Sequence, residues 1–277
     1  MRIAVIGEVA VDHYLQQHFS FVGGIGLNFA LYAKRSGAEA VAMVSCVGDD
    51  PAGTWVLETL AQEGIDTSQV AILPGQTASC AIVVTADGER SFPAGGYHSN
   101  VLRHLRLPAP IQRFMGTYEI AVTQFADDYP AELAAQFLQL PRRVKRVVDF
   151  GNWAAGRQRP LAPATLDALD LAFFSGDETT VEWLKPVARQ TACLIVVTLG
   201  AAGSVALTAP HPHWQSALPV DRLVDSTGCG DAFQAAFTVS YFRNGAVAAA
   251  LARGADQAAQ VLQHFGSFRQ APRPIDA

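Results

Sequence analysis

The residues with the most chemical promise lie in Leu223-Val-Asp-Ser-Thr-Gly-Cys-Gly-Asp231-Ala-Phe-Gln-Ala-Ala-Phe237, where an apolar approach meets a glycine-punctuated polar turn and then an Ala- and Phe-rich segment of helical character. Gly228 and Gly230 remove side chains where the chain turns into that helix. The backbone N–H groups of Gly228, Cys229 and Gly230 then have no i−4 carbonyl to meet. A helix start of this kind carries partial positive charge and binds anions, phosphates above all. Asp231 falls in the first turn, where a carboxylate either caps the helix or acts as a base beside a held anion. The local pattern leaves two readings open, a structural strand–helix turn and a phosphate cradle with a built-in base. Asp225, just upstream, adds more polarity than a cap needs.

The elements that would position this stretch alternate between strand and helix. Ile3–Ile6 is an apolar, β-branched run, consistent with a strand buried on both faces. Glu8 and Asp12 follow Gly7, which puts two carboxylates just beyond a strand's C-terminal end, the edge where open α/β sheets bind ligands. Next come Phe21-Val-Gly23-Gly24-Ile-Gly26-Leu-Asn28, a helical pattern Phe29–Ser36 closed by Gly37, the apolar run Val41–Val47, and a helix from about Thr54 to Glu63. Cys80–Thr85 and Glu89–Phe92 flank Asp87-Gly88, a hairpin signal inside a β–α chain and so an insertion that could cover a site. Gly95–Asn100 reads as a loop. Alternation resumes with strands at Ile120–Phe125, Val144–Phe150, Leu171–Phe174 and Cys193–Thr198, helices at Ala131–Leu138 and Val181–Thr191, a further strand at Ser204–Leu207 and a long helix Ala246–Phe265. The Pro-containing tail Gln270–Ala277 is expected to fray. Without a repeat or a linker, the chain is expected to form one domain over 1–277. Its fold class is α/β, a three-layer doubly wound arrangement with a mostly parallel central sheet and helices on both faces.

Composition and failed motifs narrow the function classes. Half of the 277 residues are hydrophobic and only 16% are charged, so the chain can bury a substantial core. A formal net charge of −5 lacks the basic footprint of a nucleic-acid surface. No apolar run reaches membrane-spanning length. Cys46, Cys80, Cys193 and Cys229 are scattered without a C-x-x-C pair, which suits reduced thiols in a cytoplasmic protein. Gly24-Ile-Gly26-Leu-Asn28-Phe29 has Phe where a dinucleotide fingerprint has its third glycine, and Gly48–Thr54 has Thr54 where a P-loop has lysine. The seven histidines show no zinc-ligand spacing. Cys229 at a helix start has the setting of a low-pKa thiol, but no histidine lies near it in sequence to activate a nucleophile.

Together these residues resemble the ribokinase/PfkB family of carbohydrate kinases over nearly the whole chain. The family's D-[ST]-x-G-[AC]-G-D signature stands as Asp225-Ser-Thr-Gly-Cys-Gly-Asp231. Its double glycine with an asparagine four residues on stands as Gly23-Gly24-Ile-Gly-Leu-Asn28. V-G-x-D-x-x-G appears as Val47–Gly53, and T-x-G-x-x-G as Thr198–Gly203. The resemblance implies a ribokinase-like fold with a small β lid contributed by about 8–22 and 76–97. It implies ATP-dependent transfer of a phosphoryl group to a sugar hydroxyl, with Asp231 as base and the Gly228, Cys229 and Gly230 amides as anion hole. Asp12, Gly23, Gly24, Asn28 and Arg90 would bind the sugar, and Thr198, Gly200, Gly203 and Thr227 the nucleotide. Glu178 would serve Mg²⁺, Asp225 a monovalent cation such as K⁺, and the lid a homodimer.

The pattern also departs from the family. N-x-x-E reads Ser175-Gly-Asp-Glu178, and Cys229 replaces the commoner alanine, adding a thiol open to oxidation. Only ten residues separate Asp12 from Gly23, so the lid should be small. That short lid, Phe-Val-Gly-Gly and Val-Gly-Asp-Asp are most similar to the family's fructoselysine (fructosamine) 6-kinase branch. Alternatives are a kinase of the family for a ketohexose, 2-keto-3-deoxygluconate or a nucleoside, a non-catalytic sugar- or nucleotide-binding module, and an oxidoreductase on a doubly wound fold. The failed dinucleotide motif disfavours the last of these.

Overall fold

The structure is a computed structural model that describes residues 1–125, 131–152 and 163–275. In chain order the elements begin β1 (Arg2–Ile6), β2 (Ala10–Tyr14), β3 (Phe19–Gly23), α1 (Ile25–Arg35), β4 (Ala40–Gly48), α2 (Pro51–Gln62), β5 (Asp66–Leu73) and β6 (Ala78–Val84). They continue with β7 (Arg90–Ser91), β8 (Tyr97–His98), α3 (Ala109–Met115), β9 (Ile120–Gln124), α4 (Ala131–Leu138), β10 (Lys145–Asn152), α5 (Pro163–Asp167), β11 (Leu171–Ser175) and α6 (Glu178–Ala188). The rest are β12 (Leu194–Thr198), β13 (Ser204–Leu207), β14 (His213–Gln215), α7 (Cys229–Asn244), α8 (Val247–Val261) and β15 (Arg273–Pro274).

A nine-stranded sheet runs β14-β13-β12-β11-β10-β9-β1-β4-β5. From β12 to β5 every neighbouring pair is parallel, while β13 and β14 are antiparallel. The two-residue side-chain period divides β1 between two cores. Ile3 and Val5 pack with Leu27, Leu60, Phe233 and Phe237 under α1, α2 and α7, whereas Ala4 and Ile6 face the layer containing Met115, Phe137, Leu166 and Leu184 on α3 to α6. The result is a ribokinase-like three-layer α/β fold. Parallel strands put their C-terminal ends on one edge, so Glu8, Gln124, Asp149, Ser175 and Thr198 all reach the same rim.

A second sheet, β15-β3-β2-β6-β7 with β8 also on β6, stands beside that rim. It draws on both segments expected in the lid and on a third from the C-terminus. Tyr14, Phe21, Ile82 and Val84 form its own small core, with Phe19 and Phe265 packed against it. The tail is where the structure corrects the sequence. Instead of fraying, Arg273 and Pro274 pair with Ser20 and Phe19 as an edge strand. The side chain of Gln270 clasps β3, donating to the Val22 carbonyl at 2.8 Å and accepting from the Val22 N–H at 3.1 Å. Arg273 also lies over the Trp55 ring at 4.2 Å. Residues 276–277 of that expectation lie outside the described residues.

Helix starts also differ. α1 begins at Ile25 rather than Phe29, against the Glu8 carbonyl, which accepts from Leu27 N at 3.0 Å. α2 begins at Pro51 because Asp50 caps it, accepting from Gly53 N at 2.8 Å. The Val47–Gly53 motif is therefore, in part, a capped helix start. β8 interrupts the expected Gly95–Asn100 loop.

Candidate active site

The sugar side of the expected site is assembled from β2, β3 and the start of α1. Ala10 pairs with Gly23 across these strands. A Cβ at Gly23 would lie 2.0 Å from Asp12 Oδ2, so the missing side chain is the room that carboxylate occupies. Gly24, at φ +101°, turns the chain from β3 into α1 in a conformation that L side chains rarely adopt. Asn28, one turn into α1, is buried and reaches the far side of the site.

That far side is the start of α7. Gly228 is its N-cap at φ +77°, with no side-chain cap hydrogen bond. Asp231 takes its hydrogen bond from another element: Asn28 Nδ2 donates to its Oδ2 at 2.8 Å. Burial pushes the Asp231 carboxyl up to about 7, Asp149 and Glu8 push the same way, and the Asn28 bond and Arg90 oppose them. Asp12 lies well above the usual carboxylate range as well, through burial first and then Glu8, Asp225 and Asp231, with Arg90 opposing. Glu8, Asp12, Asp225 and Asp231 thus share one low-dielectric region with Arg90 as countercharge.

Asp225 anchors the turn. It is fully buried, and its oxygens accept from Tyr14 Oη at 2.5 Å, Thr227 Oγ1 at 2.7 Å, Thr227 N at 2.9 Å and Gly266 N at 2.9 Å. Four donors match the number of lone-pair sites a carboxylate has. The β6–β7 hairpin docks onto the next residue. Ser226 N donates to the Gly88 carbonyl at 3.0 Å, Arg90 N donates to Ser226 Oγ at 3.2 Å, and the Arg90 guanidinium donates to the Ser226 carbonyl. Arg90 therefore braces the loop that leads into α7 while facing Asp12, Asp231 and Cys229. The Cys229 thiol differs from its expectation: burial raises its pKa, outweighing Arg90, so the thiolate that would promote oxidation is disfavoured.

Thr198, Gly200 and Gly203 sit on the same rim but further along. β12 is four strands from β1 in the sheet, about 19 Å at the usual spacing. Thr198 Oγ1 and Ser175 Oγ are 2.9 Å apart, joining the ends of β12 and β11. Gly203, at φ +100°, lies so close to Gln215 O that a Cβ would come within 2.1 Å of it. Thr227 is buried and committed to Asp225. Glu178 is the exposed first residue of α6, whose N-cap is Asp177, accepting from Thr180 N at 2.9 Å. Among the described residues no three His, Cys, Asp or Glu side chains gather as a metal site. A Mg²⁺ that arrives with nucleotide phosphates needs only one or two protein carboxylates, a role the exposed Glu178 fits.

Asp12, Gly23, Gly24, Asn28, Arg90 and Gly228–Asp231 thus converge, with the Thr198–Gly203 turn and Glu178 at a distance along the rim. Sequence reasoning gave no role to Asp149, Tyr14 or Ser267. Asp149 lies in the C-terminal half of β10, at the irregularity in its pairing with β11, as Glu8 follows β1, so the strand-end signal was there to use. Tyr14 and Ser267 carry no local signal.

A glycine turn on the rim, and a helix-start anion site with an adjacent carboxyl, fit a phosphotransferase-like site on an α/β scaffold. The profile of the pfkB family carbohydrate kinases matches residues 2–157 and 160–273. The chain is 31% identical to fructoselysine 6-kinase of Escherichia coli (strain K12), over 96% of this chain and 99% of that one. It is 24% identical to the fructosamine kinase FrlD of Bacillus subtilis (strain 168), over 97% and 93% of the two chains. The structure of Arabidopsis thaliana ribokinase complexed with ribose and ATP superposes with a TM-score of 0.77 at 20% identity, covering 96% of this chain and 94% of that one. The chain belongs to the pfkB family of carbohydrate kinases and is a sugar kinase of that family. No helix among the described residues is long and apolar enough to cross a membrane.

Proposed function

We propose that the chain transfers the γ-phosphoryl group of ATP to O6 of a fructosamine, fructoselysine being the model acceptor. The observation that carries the reading is the Asp231 carboxyl, partly exposed at the start of α7 with a pKa near 7 and one oxygen held by Asn28. A general base works best when its pKa lies near the operating pH. Asp231 takes the proton of the acceptor hydroxyl as the hydroxyl oxygen attacks the γ-phosphorus and ADP leaves. The Gly228 and Gly230 amides face the transferring group and stabilise its charge, joined by the Cys229 amide, whose 3.5 Å bond to the Ser226 carbonyl is long and readily exchanged. Asp12, Gly23, Gly24 and Asn28 hold the sugar. Arg90 lowers the electrostatic cost of bringing phosphates near four carboxyls. Thr198, Gly200 and Gly203 receive the nucleotide, and Glu178 the Mg²⁺ that accompanies it.

The fructosamine assignment draws support from the named relatives and from the short lid. A fructosamine carries a protonatable amine, which suits an acceptor pocket bordered by Glu8 and Asp12. We assign no K⁺ to the Asp225 side chain, whose lone-pair sites are filled. In a lid-mediated homodimer the partner would meet the open face or the β7 edge of the second sheet, since β15 of the same chain covers β3. The test is a coupled ADP-release assay over fructoselysine, other fructosamines, free ketohexoses and nucleosides, with Asp231→Asn alongside. We expect turnover on fructosamines and a loss of about 10²–10⁴-fold in the variant. Fast turnover of a free sugar with none on fructosamines overturns the substrate. An Asp231→Asn enzyme as fast as wild type overturns the base.

A further inference from the structure

Asn28 touches Asp231 with one end of its amide and Ser267 with the other. Its Nδ2 donates to Asp231 Oδ2 at 2.8 Å, and its Oδ1 accepts from Ser267 Oγ at 2.6 Å. Ser267 follows Gly266 in the segment after α8 and is 1% exposed. Its place is set from two sides. The Tyr32 hydroxyl donates to its carbonyl at 2.6 Å, and its β-carbon lies where a Cβ on Gly228 would come within 2.3 Å. The absence of a side chain at Gly228 is what lets Ser267 approach Asn28.

We propose that Ser267 is a positioning residue for phosphoryl transfer, its hydroxyl holding the Asn28 amide in the orientation that turns the NH₂ group onto Asp231. The inference rests on Asp231 acting as the base. A primary amide can present either end to a neighbour, and only its NH₂ can donate to an ionised carboxylate. A hydroxyl donating to Oδ1 satisfies the buried amide oxygen and polarises the amide. Bonds linked in this way strengthen one another by about 10–30%. The N–H donation to Asp231 favours its ionised form and works against burial and the charges of Glu8, Asp12 and Asp149. Arg90 lies on the favourable side, and Tyr32 and Cys229 also lie within range of Asp231. Ser267→Ala leaves Oδ1 without its donor, so Asp231 should hold its proton to higher pH.

The direct test follows the Asp231 carboxyl carbon by ¹³C NMR through a pH titration of the full-length, unliganded protein, with Asp231→Asn to assign the signal. Ser267→Ala should move the titration midpoint upward by about 0.3–0.7 pH unit, a two- to five-fold change in ionisation constant. Ser267→Thr, which keeps the hydroxyl, should stay within 0.2 unit of wild type (roughly the same chain of polarised bonds). If Ser267→Ala does not fold, Ser267→Cys carries the test, its weaker S–H donor shifting the midpoint in the same direction. An unmoved midpoint overturns the proposal, and so does a Thr variant displaced as far as Ala, which would make packing rather than the hydroxyl responsible. The acid limb of kcat/KM on the acceptor that wild type phosphorylates should move with the NMR midpoint. Because the titration needs no substrate, failure of the fructosamine assignment leaves it intact. Failure of the base assignment shows instead as an active Asp231→Asn enzyme.

Discussion

Asp231→Asn replaces a carboxyl that titrates near 7 in the folded protein by a neutral amide of the same shape; an unfolded chain would titrate that carboxyl near about 3.9. The folded state therefore binds the proton more tightly than the unfolded state. The group's contribution to stability falls as pH rises from about 4 and is fully lost above about 7. A difference of roughly 3 pH units, at about 1.4 kcal/mol each, sets an upper bound of about 4 kcal/mol. Partial exposure of Asp231 and relaxation of its acidic neighbours reduce this, so about 2–4 kcal/mol is the range expected. The amide oxygen of the substituted side chain can still accept from Asn28 Nδ2, which keeps the contact now 2.8 Å long. Urea unfolding of wild type and variant at pH 4, 6 and 8 measures the difference. The variant should be the more stable protein at pH 8, by an amount that shrinks to near zero at pH 4, while its phosphoryl transfer is lost. Equal stabilities at pH 8, or an advantage that grows toward acid, would refute the proton-retaining Asp231. In the wild-type enzyme the same ionisation should appear as a kcat/KM that falls as pH drops through about 7.

Two neighbouring glycines should respond in opposite ways. Gly228→Ala forces a positive φ and a contact of 2.3 Å with the Ser267 β-carbon, and should cost about 2–5 kcal/mol by thermal or urea unfolding. Gly230 meets nothing within 4 Å, so Gly230→Ala should leave stability within about 0.5 kcal/mol while its methyl group displaces the phosphoryl group and lowers kcat by about 10²-fold. Asp149→Asn removes a charge that raises the Asp231 pKa, so the acid limb of kcat/KM should move to lower pH, opposite to the Ser267→Ala shift. Gln270→Ala removes both side-chain bonds to Val22, at 2.8 and 3.1 Å, and should cost about 1–3 kcal/mol by urea unfolding. By loosening β3 next to Gly23 it should also raise KM for the sugar more than it lowers kcat.

What could be read from the sequence was what local chemistry encodes. Continuous apolar, β-branched-rich runs such as Ile3–Ile6 and Cys193–Val197 are buried on both faces and announce parallel strands. Gly228-Cys-Gly-Asp231 announces a helix start because the glycine conformation, the orphan amides and the acid are consecutive. β5 was not legible, since its mixed burial as an edge strand gives neither alternation nor an apolar run. The tail reads as frayed because Pro272 and Pro274 argue against a central strand, yet an edge strand tolerates proline, and β15 is one. Asp50 misled in a smaller way: its cap moved the start of α2 three residues upstream of the expected Thr54.

Asp231 itself marks the limit. A local motif can nominate it, and another can nominate Asn28, but the two are 203 positions apart and Ser267 lies 239 from Asn28. The carboxyl owes its pKa to groups on the β1–β2 loop, α1, β7 and β10, and its hydrogen-bond partner owes its orientation to the segment after α8. Each of these groups is ordinary in its own stretch of sequence: a glutamate after a strand, an aspartate inside one, a serine behind a glycine. Which of several carboxyls holds its proton up to neutral pH is therefore decided by tertiary placement. The C-terminal segment belongs to that placement as much as the signature loop does, because Gly266 donates to Asp225 and Ser267 to Asn28.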